Sequence, residues 1–238
     1  MEKKEKLDSM NDLKIIFKIE TIMKIKIPNI QNINYSTVGY RIDRNRITGL
    51  ALYNSNILEF PEIITHLSDL RVLFLQSNNL HSIPETITKL TELRGLYLGD
   101  NKIEHLPYEI GKMSKLVELS IQKNELKNIP QSIGDLKELK ELKAFRNKVS
   151  RIPNSIISLI NLETIWLNMN RLDSLPMSIG KLANLKELYL NDNNLNTLPE
   201  SMVNLKNLRN LDLKRNHISS KDILFLKPLS NLGCTIRI

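Results

Sequence analysis

"LRGLYLGDNKIEHLPYEIGKMSK", residues 93–115, holds the organisation of most of the chain in one copy. Leu93, Leu96 and Leu98 are followed at fixed offsets by Asn101, Ile103, Leu106, Pro107 and Ile110. The same offsets return in "LKELYLNDNNLNTLPESMVNLKN", residues 185–207. Prolines stand at 61, 84, 107, 130, 153, 176 and 199, spaced by 23 without a slip. Asparagines keep the same interval at Asn78, Asn101, Asn124, Asn147, Asn170, Asn193 and Asn216, with Ser55 one period earlier. Each unit reads L-x-x-L-x-L-x-x-N-x-L-x-x-[LIF]-P-x-x-I-x-x-L-x-x, and eight units run over residues 47–218, the last incomplete. A period held this strictly marks a solenoid.

Every part of the unit has a physical reason. The L-x-L pair puts two side chains on one side of a short strand, because strand residues alternate faces. Stacked units then make a parallel sheet backed by a continuous aliphatic core. The asparagine follows the strand, where the backbone turns inside the coil. Its carboxamide donates and accepts at once, so the asparagine column is expected to satisfy buried backbone groups in its own and the adjacent coil. Proline has no N–H to lose at the start of a helical turn, and I-x-x-L then fits a short helical or 3-10 turn on the outside. So short a unit implies an α/β solenoid that curves strongly, sheet on the concave face and thin turns on the convex one.

A solenoid needs covered ends. Residues 1–46 are read as an N-terminal cap, residues 47–218 as the array and residues 219–238 as a C-terminal cap. Leu7, Met10, Leu13, Phe17 and Ile22/Met23 approximate helical spacing, so a helix from about 9 to 24 is expected to lay that face on the first coil. "YRIDRNRITGLALYN", Tyr40 to Asn54, alternates around Asp43–Arg44–Asn45 like a hairpin leading into the first unit. At the far end Ser219 or Ser220 is expected to cap a helix through Phe225, Pro228 to stop it and "CTIRI" to form a last strand.

The net charge of +8 is carried by the ends. Residues 1–46 have 10 Lys/Arg against 6 Asp/Glu, residues 214–238 have 5 against 1, and the 167 residues between are balanced at 19 against 19. A nucleic-acid reader concentrates basic residues on its working face, so nucleic acid is not an expected partner. The single cysteine, Cys234, leaves no disulfide framework and suits a reducing compartment. The first 27 residues scatter lysines through their apolar part and do not resemble a secretion signal, so a cytoplasmic location is expected. Lys3, Lys4, Lys6, Lys14, Lys18, Lys24 and Lys26 do interleave with apolar residues, as in helices that lie on anionic membranes. The cap needs that apolar face more than an anchor does, which disfavours membrane contact.

The residue between the two strand leucines must face away from the core. Those residues are Ala51, Phe74, Tyr97, Ser120, Lys143, Trp166, Tyr189 and Asp212, with Tyr53 and Phe145 two places further on in the same concave surface. Six of the 12 aromatic residues therefore fall in two columns facing the hollow. One reading is a protein-binding face, since aromatics dominate interface hot spots. The other is ring stacking between neighbouring coils, which stabilises the sheet alone. Unit five departs from the pattern, with Ala144 at a leucine position. Either Phe145 bends in to fill the space, or a deformed coil presents Lys143 and Arg146 to a partner with an acidic centre.

No catalytic pattern stands out. His66, His81, His105 and His217 occupy four different positions of the unit, no phosphate-binding glycine loop is present, and no cofactor or metal is expected. The 23-residue unit ending in "LPxxI" or "IPxxI" is identified as the leucine-rich repeat. It resembles intracellular scaffolds of the Ras-suppressor-like and Ras-binding types, and prokaryotic arrays that sometimes adjoin small GTPase domains. The resemblance implies a right-handed superhelix that binds a protein partner on its concave face without catalysis, a small GTPase being the partner by analogy. The alternative is a structural or self-associating array.

Overall fold

The computed structural model describes residues 2–238, with side chains described from residue 11 onward. The described residues form one ten-stranded sheet whose strands lie side by side in chain order. A helix, α1 (Glu2–Met23), precedes an antiparallel pair, β1 (Val38–Asp43) and β2 (Arg46–Leu52). Every later neighbour is parallel: β3 (Val72–Phe74), β4 (Gly95–Tyr97), β5 (Glu118–Ser120), β6 (Glu141–Lys143), β7 (Thr164–Trp166), β8 (Glu187–Tyr189), β9 (Asn210–Asp212) and β10 (Thr235–Arg237).

The pairing joins residues 23 apart, Leu96 with Leu119 and Ile165 with Leu188, so the sequence period is the strand register itself. Leu73, Leu96, Leu119, Leu142, Ile165, Leu188 and Leu211 are all buried behind the sheet. Burying one such side chain contributes about 1.5–3 kcal/mol, and the column repeats it in every coil. A proline caps six of the seven 3-10 turns on the convex side, its carbonyl accepting the N–H three residues on, as from Ile64 to Pro61 at 2.9 Å. The turn Ile179–Lys181 is shorter and has Ser178 at its cap, yet Ile179 still donates to Pro176 at 2.9 Å.

The asparagines turn inward and bind two coils each. Asn101 Nδ2 donates to Leu98 O at 3.0 Å in its own coil and to Leu75 O at 2.9 Å in the preceding one, while its Oδ1 accepts from Leu80 N at 3.0 Å. Asn124, Asn147, Asn170, Asn193 and Asn216 repeat this pattern. Asn78 extends it with a second acceptor bond, from both Ser55 N and Ile57 N. The residue before each of them, from Ser77 to Arg215, is left-handed with φ between 54° and 59°. That twist aims the carboxamide into the coil, and nothing in the L-x-x-L-x-L pattern signals it.

The ends differ from the reading of the sequence in three ways. First, α1 turns a different face inward. Asp12, Ile16 and Ile19 are buried, whereas Leu13 is 40% and Phe17 66% exposed. Asp12 fixes this rotation, because Oδ2 accepts from Arg46 Nε at 3.0 Å and from Ile47 N at 2.9 Å while Arg46 also reaches Asp69 at 2.8 Å. Leu7 and Met10 of the expected face lie outside the described side chains. Second, residues 28–37 fold back on β1 and β2: Asn29 bridges Tyr40 at the sheet edge, and Ile30 and Ile33 lie over Gly39 and Gly49. A Cβ on Gly49 would collide with Ile33 and one on Gly39 with Ile30, so these two glycines make room for the segment. Third, Pro228 starts a helix instead of ending one. Ser219 caps α2 (Ser220–Leu224), its hydroxyl accepting from Asp222 N, and Pro228 sits in the first turn of α3 (Lys227–Asn231), where its missing N–H has no partner to lose.

Candidate protein-binding face

Three columns of side chains cover the concave sheet. The central one runs Ala51, Phe74, Tyr97, Ser120, Lys143, Trp166, Tyr189, Asp212, and the hydrogen-bond register sets its members directly opposite one another. Trp166 points into the hollow while its neighbours Ile165 and Leu167 are fully buried behind the sheet. The aromatics fall into two groups.

Near the N-terminal end, Phe74 and Tyr97 stack at 4.4 Å with an interplanar angle of 12°. Phe74 is only 8% exposed, so it is not the solvent-facing ring that its column position suggests. Tyr97 covers it on one side, and the adjacent Ala51 is fully buried beside the segment 28–37. Burial, and then the hydrogen bond from its hydroxyl to Glu118, push the Tyr97 phenol far above its ordinary range. Tyr53, further along, is half-buried and donates its N–H to Thr37 O at 3.1 Å.

Three rings from consecutive coils meet near the C-terminal end. Phe145 and Trp166 lie 6.2 Å apart at 49°, and Trp166 meets Tyr189 edge-on at 5.6 Å and 90°. Together with Asn168 and Asn191 they line an open cleft of about 300 Å³. Trp166 is fixed in place by two contacts. Its Nε1 donates to Glu187 Oε2 at 3.1 Å, and the Lys143 ammonium sits 4.7 Å from its ring centroid. Such a cation on an aromatic face contributes about 0.5–2 kcal/mol.

Unit five is regular rather than deformed. β6 pairs in register with both neighbours, Ala144 is fully buried at its leucine position, and Phe145 stays on the concave side in the cleft. Arg146 is exposed, its Nε 3.2 Å from Met169 Sδ, and does not join the ring group. Lys143 is held by Glu141, so it offers no free positive centre to an acidic partner. The residues that sequence reasoning passed over are Asn168, Asn191 and the carboxylates Glu118 and Glu141 in the first strand column. Their 23-residue spacing was the available signal.

Models of two repeat families match the chain, a leucine-rich repeat region over residues 46–147 and 86–170 and a leucine rich repeat over 160–218. The chain belongs to the leucine-rich-repeat family. Among solved structures, a leucine-rich-repeat protein of Leptospira interrogans is 31% identical with a TM-score of 0.65, over 93% of this chain and 62% of that one. An internalin (inlF) of Listeria monocytogenes is 25% identical with a TM-score of 0.66, over 84% of this chain and 61% of that one. A plant peptide hormone receptor, RGFR1, in complex with RGF2, is 30% identical with a TM-score of 0.65, over 76% of this chain and 29% of that one. This leucine-rich-repeat chain thus spans less than two thirds of the length of each of these structures. No curated protein matches it.

Proposed function

We propose that this leucine-rich-repeat chain is a non-catalytic interaction module that takes a protein partner on its concave face, with Phe145, Trp166 and Tyr189 as anchors. The observation that carries the reading is the cleft itself. Three rings from three coils leave an open, aromatic-lined hollow, whereas stacking alone would close ring on ring as Phe74 and Tyr97 do. The Trp166 ring, held by Glu187 and Lys143, loses little freedom on binding, which favours affinity. The similarity to a receptor complexed with RGF2 supports a protein or peptide ligand. Phe74, Tyr97 and Tyr53 then serve as the stacked N-terminal wall of the same face, and Arg146 as an exposed rim contact. A cytoplasmic scaffold acting with a small GTPase is the finer reading, supported by the resemblance of the 23-residue unit.

The test is affinity capture from extracts of the source cell with wild type and the triple variant F145A/W166A/Y189A. The triple variant loses the captured protein while its melting temperature changes by only a few degrees. Each anchor contributes about 2 kcal/mol or more, roughly thirtyfold in affinity. Capture of the same partner by both proteins would remove the concave face as the binding surface.

A further inference from the structure

Helix α1 has apolar residues on two faces and uses one of them. Its buried face holds Asp12, Ile16 and Ile19 against the first coil. Another face exposes Leu13 and Phe17, one turn apart, at 40% and 66%. Lys14 and Lys18 are exposed on the ridge next to them, and Lys24 and Lys26 are exposed beyond the end of the helix. Both carboxylates among residues 11–26 are turned inward and engaged: Asp12 by Arg46 and Ile47 N, Glu20 by Ile27 N at 2.8 Å and by Lys26 at 3.9 Å. The solvent side of this stretch therefore presents cations and hydrocarbon with no carboxylate among them.

A second observation lies beside it. A recess of about 400 Å³ opens between α1 and the first 3-10 turn, lined by Lys14, Lys18, Arg46 and His66 among others, with Arg46 shared between Asp12 and Asp69. Capping the first coil does not consume all the apolar residues of this helix. The rotation fixed by Asp12 leaves Leu13 and Phe17 turned to solvent.

We propose that this outer face of α1 seats the protein on an anionic lipid surface. Phe17 and Leu13 enter the boundary between headgroups and acyl chains, and Lys14 and Lys18 hold a lipid phosphate at the mouth of the recess. Lysine suits this place, because its stem lies along the apolar layer while its ammonium rises to the phosphates. No helix of the described residues is long and apolar enough to cross a membrane, so α1 lies on the surface. The face is separate from the concave cleft, and a lipid-seated protein keeps that cleft open.

The experiment is co-sedimentation of the full chain with phosphatidylcholine vesicles, with and without phosphatidylserine, at low and high salt. Wild type sediments with the phosphatidylserine vesicles at low salt and is released by high salt. Phe17→Glu and, separately, the pair K14E/K18E reduce partitioning by about tenfold or more. Their melting temperatures stay at the wild-type value because these side chains are exposed, and Trp166→Ala sediments like wild type. Phe17→Ser supplies the same reading without a new charge. Sedimentation that ignores phosphatidylserine, or variants that bind like wild type, would overturn the proposal. So would an acidic protein captured through this face by a chain that does not bind vesicles.

Discussion

Asn124 shows how much one side chain does in this fold. It accepts from Ile103 N at 2.9 Å and donates to Leu98 O, Ile121 O and Gln122 O at 2.9, 3.2 and 3.1 Å. Asn124→Ala orphans the buried Ile103 N–H, while Leu98 O, Ile121 O and Gln122 O keep Asn101, Asn147 and the Asp100 N–H; one orphaned group costs about 1–3 kcal/mol. The variant should lose about 1–3 kcal/mol, read as the shift of the urea midpoint. Asn216→Ala makes the same change at a half-buried site and should lose less, since water reaches the freed groups. Equal losses would mean that the carboxamides do not seal the coils. These positions were legible in the sequence because the same asparagine recurs at the same offset. The left-handed residue before each one was not, since Ser77, Asp100, Lys123, Arg146, Met169, Asp192 and Arg215 share a backbone angle and no chemistry.

The N-terminal cap makes the same point at the scale of an element. A helix was legible over much of residues 9–24, but its rotation depends on Asp12 meeting Arg46, 34 residues away, which no local period records. The segment 28–37 was equally hidden, because what seats it is the absence of side chains at Gly39 and Gly49. Pro228 misled for a different reason: one residue can end a helix or begin the next. Removing one partner of a buried ion pair typically costs about 3–5 kcal/mol. Asp12 is 2% exposed and its partner more open, so Asp12→Ala should fall at the lower end, about 3 kcal/mol. Hydrogen exchange checks it. The Ile47 amide, bonded to Asp12, should lose protection in the variant, while Leu142 in β6 keeps its own. Unchanged protection at Ile47 would show that the cap is held by its apolar contacts alone.

Over the whole molecule, ion pairs climb the outside of the solenoid from coil to coil. Glu92–Lys115, Glu104–Lys127, Glu125–Lys148, Glu163–Lys186 and Asp192–Arg215 all join residues 23 apart. Hydrogen bonds from these cations hold all five carboxyls below their ordinary range. The folded chain therefore binds fewer protons than the unfolded one within that range. The stability they supply is fully present above the usual carboxylate values and is lost as pH falls through the lowered ones. Each pair is exposed and contributes little alone, so the effect should be shallow and screened by salt. Melting curves between about pH 6 and pH 3 should show a decline that flattens in high salt. A decline of equal slope at both salt levels would assign acid sensitivity to some other group.

The asparagine bonds have a direction. Every one of these carboxamides reaches back to the coil before it, so the groups it satisfies there stay open until the next 23 residues have emerged. On the ribosome, a growing chain would always carry one unfinished ring at its trailing edge, closed by whatever is synthesised next.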